Sequence, residues 1–356
     1  MNVYMINNGN EACCYVRILL PAYNNGFRTD KTSLLSDSSN KLKAIQKDLA
    51  SSDVVVFHRP ESQESLTLIE LLKENGKKIV IDNDDTFKIK DNHPLAEWTS
   101  HAHQVDIEKR DSFFDKCARK ADLMTTTTET LKKEYEEIND NVIILPNCVD
   151  PMDWEKPLRN ETDKIRIGIV GSVTYSYDYN HVKDVLKKLS DREDVQLVIF
   201  GLGDKKHRKE NPVVAEHFKK EYDFWDKLDI EQIPWCPVHE YPEKLNEARL
   251  DMMIIPRREN YFNKCKSNIK FLEASMCEVP CICQSFEDAP YEELTHGENG
   301  LLVKDNADWM KQIDYLINNP DKRRIMGAKA KDYVLDNYDI NNKAHLWEEA
   351  YKKLCS

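Results

Sequence analysis

Leu250-Asp251-Met252-Met253-Ile254-Ile255-Pro256-Arg257-Arg258-Glu259-Asn260-Tyr261-Phe262-Asn263-Lys264-Cys265-Lys266-Ser267-Asn268-Ile269-Lys270-Phe271-Leu272-Glu273 reads as a strand, a polar loop and the opening of a helix. The apolar run at its start is of the kind buried in a parallel sheet. Five cations follow the strand end: Arg257, Arg258, Lys264, Lys266 and Lys270. Lys266, Ser267 and Asn268 fall at the helix entry, where free N–H groups and the helix dipole favour phosphate oxygens. Asn268 or Ser267 also suits an ordinary N-cap. Lys266 and Lys270, four apart, would share a helix face and repel unless an anion sits between them. Glu273, one turn on, can hold a vicinal diol such as a ribose 2′,3′-hydroxyl pair through two charge-assisted hydrogen bonds. Phosphate clamp plus diol acceptor describes a nucleoside diphosphate site; a solvated charged helix is the plain alternative.

Outward from this segment the chain alternates strands and helices. Strands are expected at Val3–Ile6, at the apolar run Asp53–Phe57, and at Lys78–Ile81, Leu123–Thr126 and Val142–Leu145. Helices are expected at Ser36–Leu49, Glu64–Asn75, Phe113–Lys120 and Glu129–Glu137. The polar stretch from Pro146 to Asp163 reads as a linker, after which the pattern restarts. The second half has strands at Ile165–Val170, Val195–Phe200, Leu250–Ile255, Pro280–Cys283 and Leu301–Val303, with helices at Tyr179–Leu189, Phe218–Leu228, Ile269–Cys277, Asp308–Asn318 and Asp321–Asn337. Such alternation indicates α/β domains with doubly wound parallel sheets. We expect one at 1–155, a second at 156–335, and a helical segment at 336–356 that packs back on the first. A chain of 356 residues also exceeds the size at which one core stops growing. Ligands of such sheets bind beyond the carboxyl ends of the strands, so the cleft between the two domains is the default site.

Composition narrows the function. Hydrophobic residues are 40% and charged residues 32% of the chain, the composition of a soluble protein with a very polar surface. No run approaches the ~20 apolar residues of a membrane span. Met1–Ile6 lacks the basic-then-apolar plan of a signal peptide. We therefore expect a cytoplasmic protein with at most peripheral membrane association. The net charge is −12, and the first 150 residues already hold 19 basic and 25 acidic side chains. That balance argues against nucleic acid as a partner, since such binding rests on neutralising phosphates. The ten cysteines are expected reduced; adjacent Cys13 and Cys14 do not readily bridge to each other. Cys277, Cys281 and Cys283 come nearest to metal spacing, but Cys281 and Cys283 read as small hydrophobes on a buried strand, with no C-x-x-C pair to support zinc. We expect no metal site.

Three further loops carry candidate chemistry. Gly171-Ser172-Val173-Thr174-Tyr175-Ser176-Tyr177-Asp178 follows a strand, and its glycine lets backbone N–H groups approach an anion. It is not G-x-G-x-x-G, which disfavours a nicotinamide dinucleotide and an oxidoreductase. Asp82-Asn83-Asp84-Asp85 follows another strand; its clustered acids suit sugar hydroxyls or an acceptor, with Asp82 the favoured residue, and a cation or a plain acidic turn as alternatives. Arg17 and Arg59 approach the same sheet edge and suit an anionic acceptor, the donor phosphate or a structural ion pair. His58, His101 and His103 are candidate bases by type, and His101 is taken with Arg17, Arg59 and Asp84 as an acceptor or sugar contact. Thr125–Thr128 reads as strand end plus helix cap.

Taken together, Phe262-Asn263-x-x-Lys266-Ser267-Asn268-x-Lys270-x-x-Glu273, Val279-Pro280, Pro290-Tyr291 and His296-Gly297-x-Asn299-Gly300-Leu301-Leu302-Val303 resemble the C-terminal half of family 4 glycosyltransferases. Gly171, Ser172, Thr174 and Asp178 match the opening of the nucleotide-binding domain in a bacterial branch of that family. Tyr15-x-Arg17-x-x-x-Pro21, Val55-Val56-Phe57-His58-Arg59, Asp82-x-Asp84-Asp85, Ala121-Asp122 and Pro146-Asn147-x-Val149-Asp150 fall in the family's order in the first half. The resemblance implies the GT-B fold, two Rossmann-like domains facing across a cleft. It implies a donor held mainly by the second domain and transfer of a sugar from a nucleoside-diphosphate sugar to an acceptor hydroxyl, with retention and without a metal or separate cofactor. The acceptor would be a glycan, a lipid-linked glycan or another hydroxyl compound. The implied catalytic residues are Glu273, Lys266 and Asp82. The implied donor contacts are Gly171, Ser172, Arg257, Arg258, Lys266, Ser267, Asn268, Lys270 and Glu273. Two departures stand out. The family's first glutamate is replaced by Cys265, and the Arg and Lys that grip the diphosphate in many members are absent from Gly171–Asp178. Lys266, Lys270 and Arg257 or Arg258 are expected to replace them. Cys265 also leaves open a catalytically silent GT-B protein that binds a nucleotide or glycan.

Overall fold

A computed structural model describes residues 1–6, 12–29, 38–86, 112–288 and 290–356. His101 and His103 lie outside the described residues. The chain divides into two compact units. Unit 1 comprises Met1–Asp150, Cys265–Ser267 and Tyr338–Ser356, and unit 2 comprises Pro151–Lys264 and Asn268–Asn337.

Unit 1 is built on β1 (Val3–Ile6), β2 (Arg28–Thr29), β3 (Val54–His58), β4 (Lys78–Asp82), β5 (Leu123–Thr126) and β6 (Val142–Ile144). They form one six-stranded sheet in the order β2-β1-β3-β4-β5-β6, and every pair is parallel. The apolar run in β3 is buried on both faces, as the unbroken hydrophobic pattern requires. Burying such Val and Phe side chains contributes roughly 1.5–3 kcal/mol each. The helix Gln63–Glu74 is capped by Ser62, whose side chain accepts from the Ser65 N–H; Thr128 caps Glu129–Tyr135 in the same way. The segment after β1 departs from simple expectation. Pro21 sits in the first turn of the helix Leu20–Asn25, continuous with a π-helical turn over Tyr15–Leu19. A proline ring crowds the carbonyl four residues back, here that of Arg17, and widening the helix relieves that clash. Arg17 thereby turns into the protein and is fully buried. The core between β1, β3 and β4 also takes in Ile340, Trp347 and Tyr351 from the C-terminal segment.

Unit 2 contains β7 (Ile165–Val170), β8 (Val195–Phe200), β9 (Ile230–Ile233), β10 (Met252–Ile255), β11 (Cys281–Gln284) and β12 (Leu301–Val303). Its sheet runs β12-β11-β10-β7-β8-β9 and is again all parallel. Two strands escape a reading by apolar runs, because β2 is only Arg-Thr and β9 is Ile-Glu-Gln-Ile at a half-exposed edge. The helix expected over Tyr179–Leu189 is broken into short turns before Lys183–Ser190. Cys281 and Cys283 are fully buried in β11, and all ten cysteines are unbridged. Among the described residues no helix is long and apolar enough to cross a membrane.

Candidate functional site

In unit 2 the chain builds β7, β8 and β9 outward on one side, then returns to add β10, β11 and β12 on the other. The order reverses between β7 and β10, and this is where open parallel sheets bind ligands. Gly171 leaves β7 with φ +151°; a Cβ there would lie 2.8 Å from the Tyr175 ring, 2.9 Å from the Tyr179 hydroxyl and 3.0 Å from Lys270 Nζ. Only glycine lets the backbone pass so close to these groups. Lys270 is buried on the helix Ile269–Met276, donates to the Val170 carbonyl, and lies 4.4 Å from the centre of the Tyr175 ring. One turn later Glu273 accepts a hydrogen bond of 2.9 Å from the Tyr241 hydroxyl. Burial pushes the Glu273 carboxyl up to about 7, against the lowering effects of that bond and of the Lys270 charge.

Asp178 organises the loop after β10. It accepts from Arg257 Nη1 at 2.8 Å, from the Arg258 N–H at 3.1 Å and from Asn263 Nδ2 at 2.6 Å. Arg257 is 4% exposed, its guanidinium stands 5.0 Å from the centre of the Tyr175 ring, and its Nε is buried with no hydrogen-bond partner. Burial opposes its charge, but the Asp178 carboxylate paired with it keeps the guanidinium firmly protonated. Arg257 and Arg258 line an open cleft of about 760 Å³ with His181, Gln284 and Lys304. Such a volume is that of a small-molecule site.

The carboxyl edge of unit 1 carries a second cluster. Arg17 forms a two-pronged ion pair with Asp82, with Nη2–Oδ2 at 2.6 Å and Nε–Oδ1 at 3.1 Å, and donates to the Leu145 carbonyl at 2.6 Å. Thr125 Oγ1 donates to Asp82 at 2.6 Å, and His58 Nδ1 lies 3.1 Å from its other oxygen. Burial alone would raise Asp82, yet the Arg17 charge and these bonds hold it well below the usual carboxylate range. Burial favours the neutral ring of His58, but its bond to Asp82, its contact with Cys13 and the Asp84 charge carry it up to about 9. Arg59, in the left-handed region at φ 47°, pairs with Asp84 at 2.6 Å. Lys266 Nζ pairs with Asp85 at 2.6 Å, and Asn147 donates to Ser267 Oγ at 2.9 Å.

The expected site residues thus fall into two groups. Gly171, Ser172, Arg257, Arg258, Asn268, Lys270 and Glu273 lie in unit 2, while Arg17, Arg59, Asp82, Asp84, Lys266 and Ser267 lie in unit 1. His101 lies outside the described residues. Three local expectations change. Lys266 does not share a helix face with Lys270, because the helix begins only at Ile269. Asn268 occupies the N-cap position without a capping bond and instead donates to Glu293 at 2.7 Å. Asp82, expected as an open sugar or acceptor contact, is instead 1% exposed and neutralised by Arg17, which takes the structural ion pair that was one of its open alternatives. Tyr241 was not singled out in the sequence: it lies 32 residues before Glu273, and no local pattern links the two.

The chain matches the family described as "Glycosyl transferase-like" over residues 157–349, more than half its length. It is 21% identical over 267 residues to an uncharacterized glycosyltransferase of Methanocaldococcus jannaschii, a match that covers 68% of this chain and only 62% of that protein. Among solved structures, Anabaena HepE in complex with UDP-glucose is similar with a TM-score of 0.67 at 12% identity, covering 99% of this chain and 100% of that one. Sucrose-phosphate synthase from Thermosynechococcus elongatus follows at 0.66 and 14% identity, covering 99% of both chains. At such identities the likeness speaks for the fold. That fold is GT-B, with two parallel six-stranded sheets flanked by helices.

Proposed function

The chain belongs to the glycosyl transferase-like family, and we propose that it moves a sugar from a nucleoside-diphosphate sugar to an acceptor hydroxyl. We place it in family 4, acting with retention and without a metal in the transfer step. One observation carries this reading: at the strand-order reversal of unit 2, a glycine-only backbone passage at Gly171, the ammonium of Lys270 and the half-buried carboxylate of Glu273 stand on adjoining elements. The Gly171–Ser172 N–H groups, Lys270 and Arg258 suit the donor diphosphate, and Glu273 suits the ribose diol. As the glycosidic bond breaks, negative charge grows on the leaving diphosphate, and fixed cations lower the barrier most where charge develops. The acceptor hydroxyl then attacks from the face the diphosphate leaves, with a phosphate oxygen taking its proton. Solved HepE holding UDP-glucose supports such a donor. A glycan, a lipid-linked glycan or another hydroxyl compound is the acceptor, and the chain works in the cytoplasm.

Cys265 favours a second reading. It is fully buried at the position where the family's first glutamate contacts the transferred sugar, and a thiol cannot accept hydrogen bonds as a carboxylate does. A catalytically silent protein that binds a nucleotide or glycan is the alternative. Titration with UDP-, GDP-, CDP- and TDP-sugars, with release of nucleoside diphosphate assayed in parallel, separates the two. Binding with release that Glu273→Ala abolishes supports transfer, and tight binding without release supports the silent protein. Failure to bind any of the four overturns both.

A further inference from the structure

Unit 1 has its own reversal of strand order, between β1 and β3, because β2 is added on one side of β1 and β3 to β6 on the other. Beyond that reversal lie three side chains that the transfer reading does not use. Cys13 and Cys14 sit on the helical segment after β1, and His58 is the last residue of β3. One ligand atom from each, two thiol sulfurs and a ring nitrogen, lie within 4.8 Å of one another. The His58 side chain is 1% exposed, and its Nδ1 faces Asp82. Its Nε2 is buried without a hydrogen bond to oxygen or nitrogen; the Cys13 thiol is the ring's other polar neighbour, and Asp84 Oδ1 lies 4.0 Å from Nε2.

This is how a metal-binding histidine is prepared. An Nδ1–H donated to a carboxylate fixes the tautomer and the ring plane, and leaves the lone pair of Nε2 for a metal. Asp82 is itself held by Arg17 and Thr125, so the ring has little freedom to turn away. We propose that Cys13, Cys14 and His58 bind a soft divalent cation, with zinc the natural occupant, and leave a fourth position for water or an external ligand. Thiolate and imidazole donors select zinc over magnesium or calcium, which prefer oxygen. Charge also balances at the site. Arg17 is cancelled by Asp82 and Arg59 by Asp84, and the cation is cancelled by the two thiolates formed when it displaces their protons and any proton on Nε2. Three protein ligands with one open position is the arrangement of a zinc site that can exchange a ligand. Cys13 is only half-buried, which gives the ion a way in. The donor residues of unit 2 are not involved, so this site stands or falls independently of the transfer reading.

The test uses the full chain, stripped with a chelator and titrated with Co²⁺ and then Zn²⁺. One equivalent of Co²⁺ should bind with a thiolate-to-cobalt charge-transfer band, and Zn²⁺ should abolish the band. Loss of even an outer partner of a metal ligand weakens binding by about 10–100-fold. Cys13→Ser should therefore weaken it by more than about 100-fold with an unchanged circular dichroism spectrum, while Cys355→Ser at the exposed chain end leaves it intact. If Cys14→Ser does not fold, Cys13→Ser and His58→Gln decide the matter. Absence of the band, or a band of equal strength in Cys13→Ser and His58→Gln, overturns the proposal.

Discussion

Glu273→Gln exchanges a half-buried carboxylate for a neutral amide of the same shape that can still accept from Tyr241. Burial lifts the carboxyl from an ordinary 4.5 to about 7. At ~1.36 kcal/mol per pH unit, that gap corresponds to at most ~3 kcal/mol. Folded protein keeps this proton to a higher pH than the unfolded chain does. Between pH 4.5 and about 7 it therefore holds more protons, and stability falls as pH rises through that window. Above it the full cost is present; below it there is none. The glutamine variant carries no such cost, so it should match the parent near pH 4 and exceed it by up to ~3 kcal/mol near pH 8. Urea denaturation followed by circular dichroism at stepped pH reads the difference. Nucleotide binding should move the other way. The ionised fraction of Glu273 rises by about tenfold from pH 6 to pH 8, and the parent's affinity for nucleoside diphosphate should rise with it, up to about tenfold. The variant should bind weakly and show no such rise. A stability difference that does not change with pH, or equal binding profiles for parent and variant, would refute a buried carboxylate that holds ribose.

Four further substitutions test the neighbouring groups. Lys270→Ala should weaken nucleoside diphosphate binding by about 1–3 kcal/mol, the worth of a charged hydrogen bond, as read by calorimetry; unchanged affinity removes Lys270 from the donor site. Lys266→Ala should cost a similar ~1–3 kcal/mol if its ammonium reaches phosphate, and nothing if Asp85 is its only role. Gly171→Ala forces a methyl to 2.8 Å from Tyr175 and should lower both the melting temperature and nucleotide affinity. Arg17→Met strands the buried Asp82 charge and should destabilise unit 1 by about 3–5 kcal/mol; a parent-like denaturation midpoint would show that the pair contributes little.

Much of the architecture was legible because the evidence for it is local. β3 and β10 are continuous apolar runs, a pattern that only burial on both faces of a parallel sheet explains. Strands Ile165–Val170 and Val195–Phe200 appear with the bounds that their hydrophobic runs predict. β2 and β9 were not legible, since a two-residue strand and a polar edge strand carry no hydrophobic signal. The site divides in the same way. The candidate loops were found because ligand chemistry collects at strand ends, but the partner of each charge was not.

Sequence by itself determined the two α/β units, the loops that could meet a ligand, and the spacing of Lys270 and Glu273 on one helix. All of these follow from the short-range periods of helix and strand. Tertiary structure alone decided which charges are spent. Arg17 is paired with Asp82 from 65 residues away, and Arg257 with Asp178 from 79, because only the stacking order of parallel strands brings such distant residues to one edge. For the same reason the adjacent Cys13 and Cys14 meet His58, which is distant from them in sequence. In Leu250–Glu273, cations that looked equivalent in sequence have separate fates: Arg257 is locked to Asp178 and Lys266 to Asp85. Lys270 is turned to a backbone carbonyl beside Gly171.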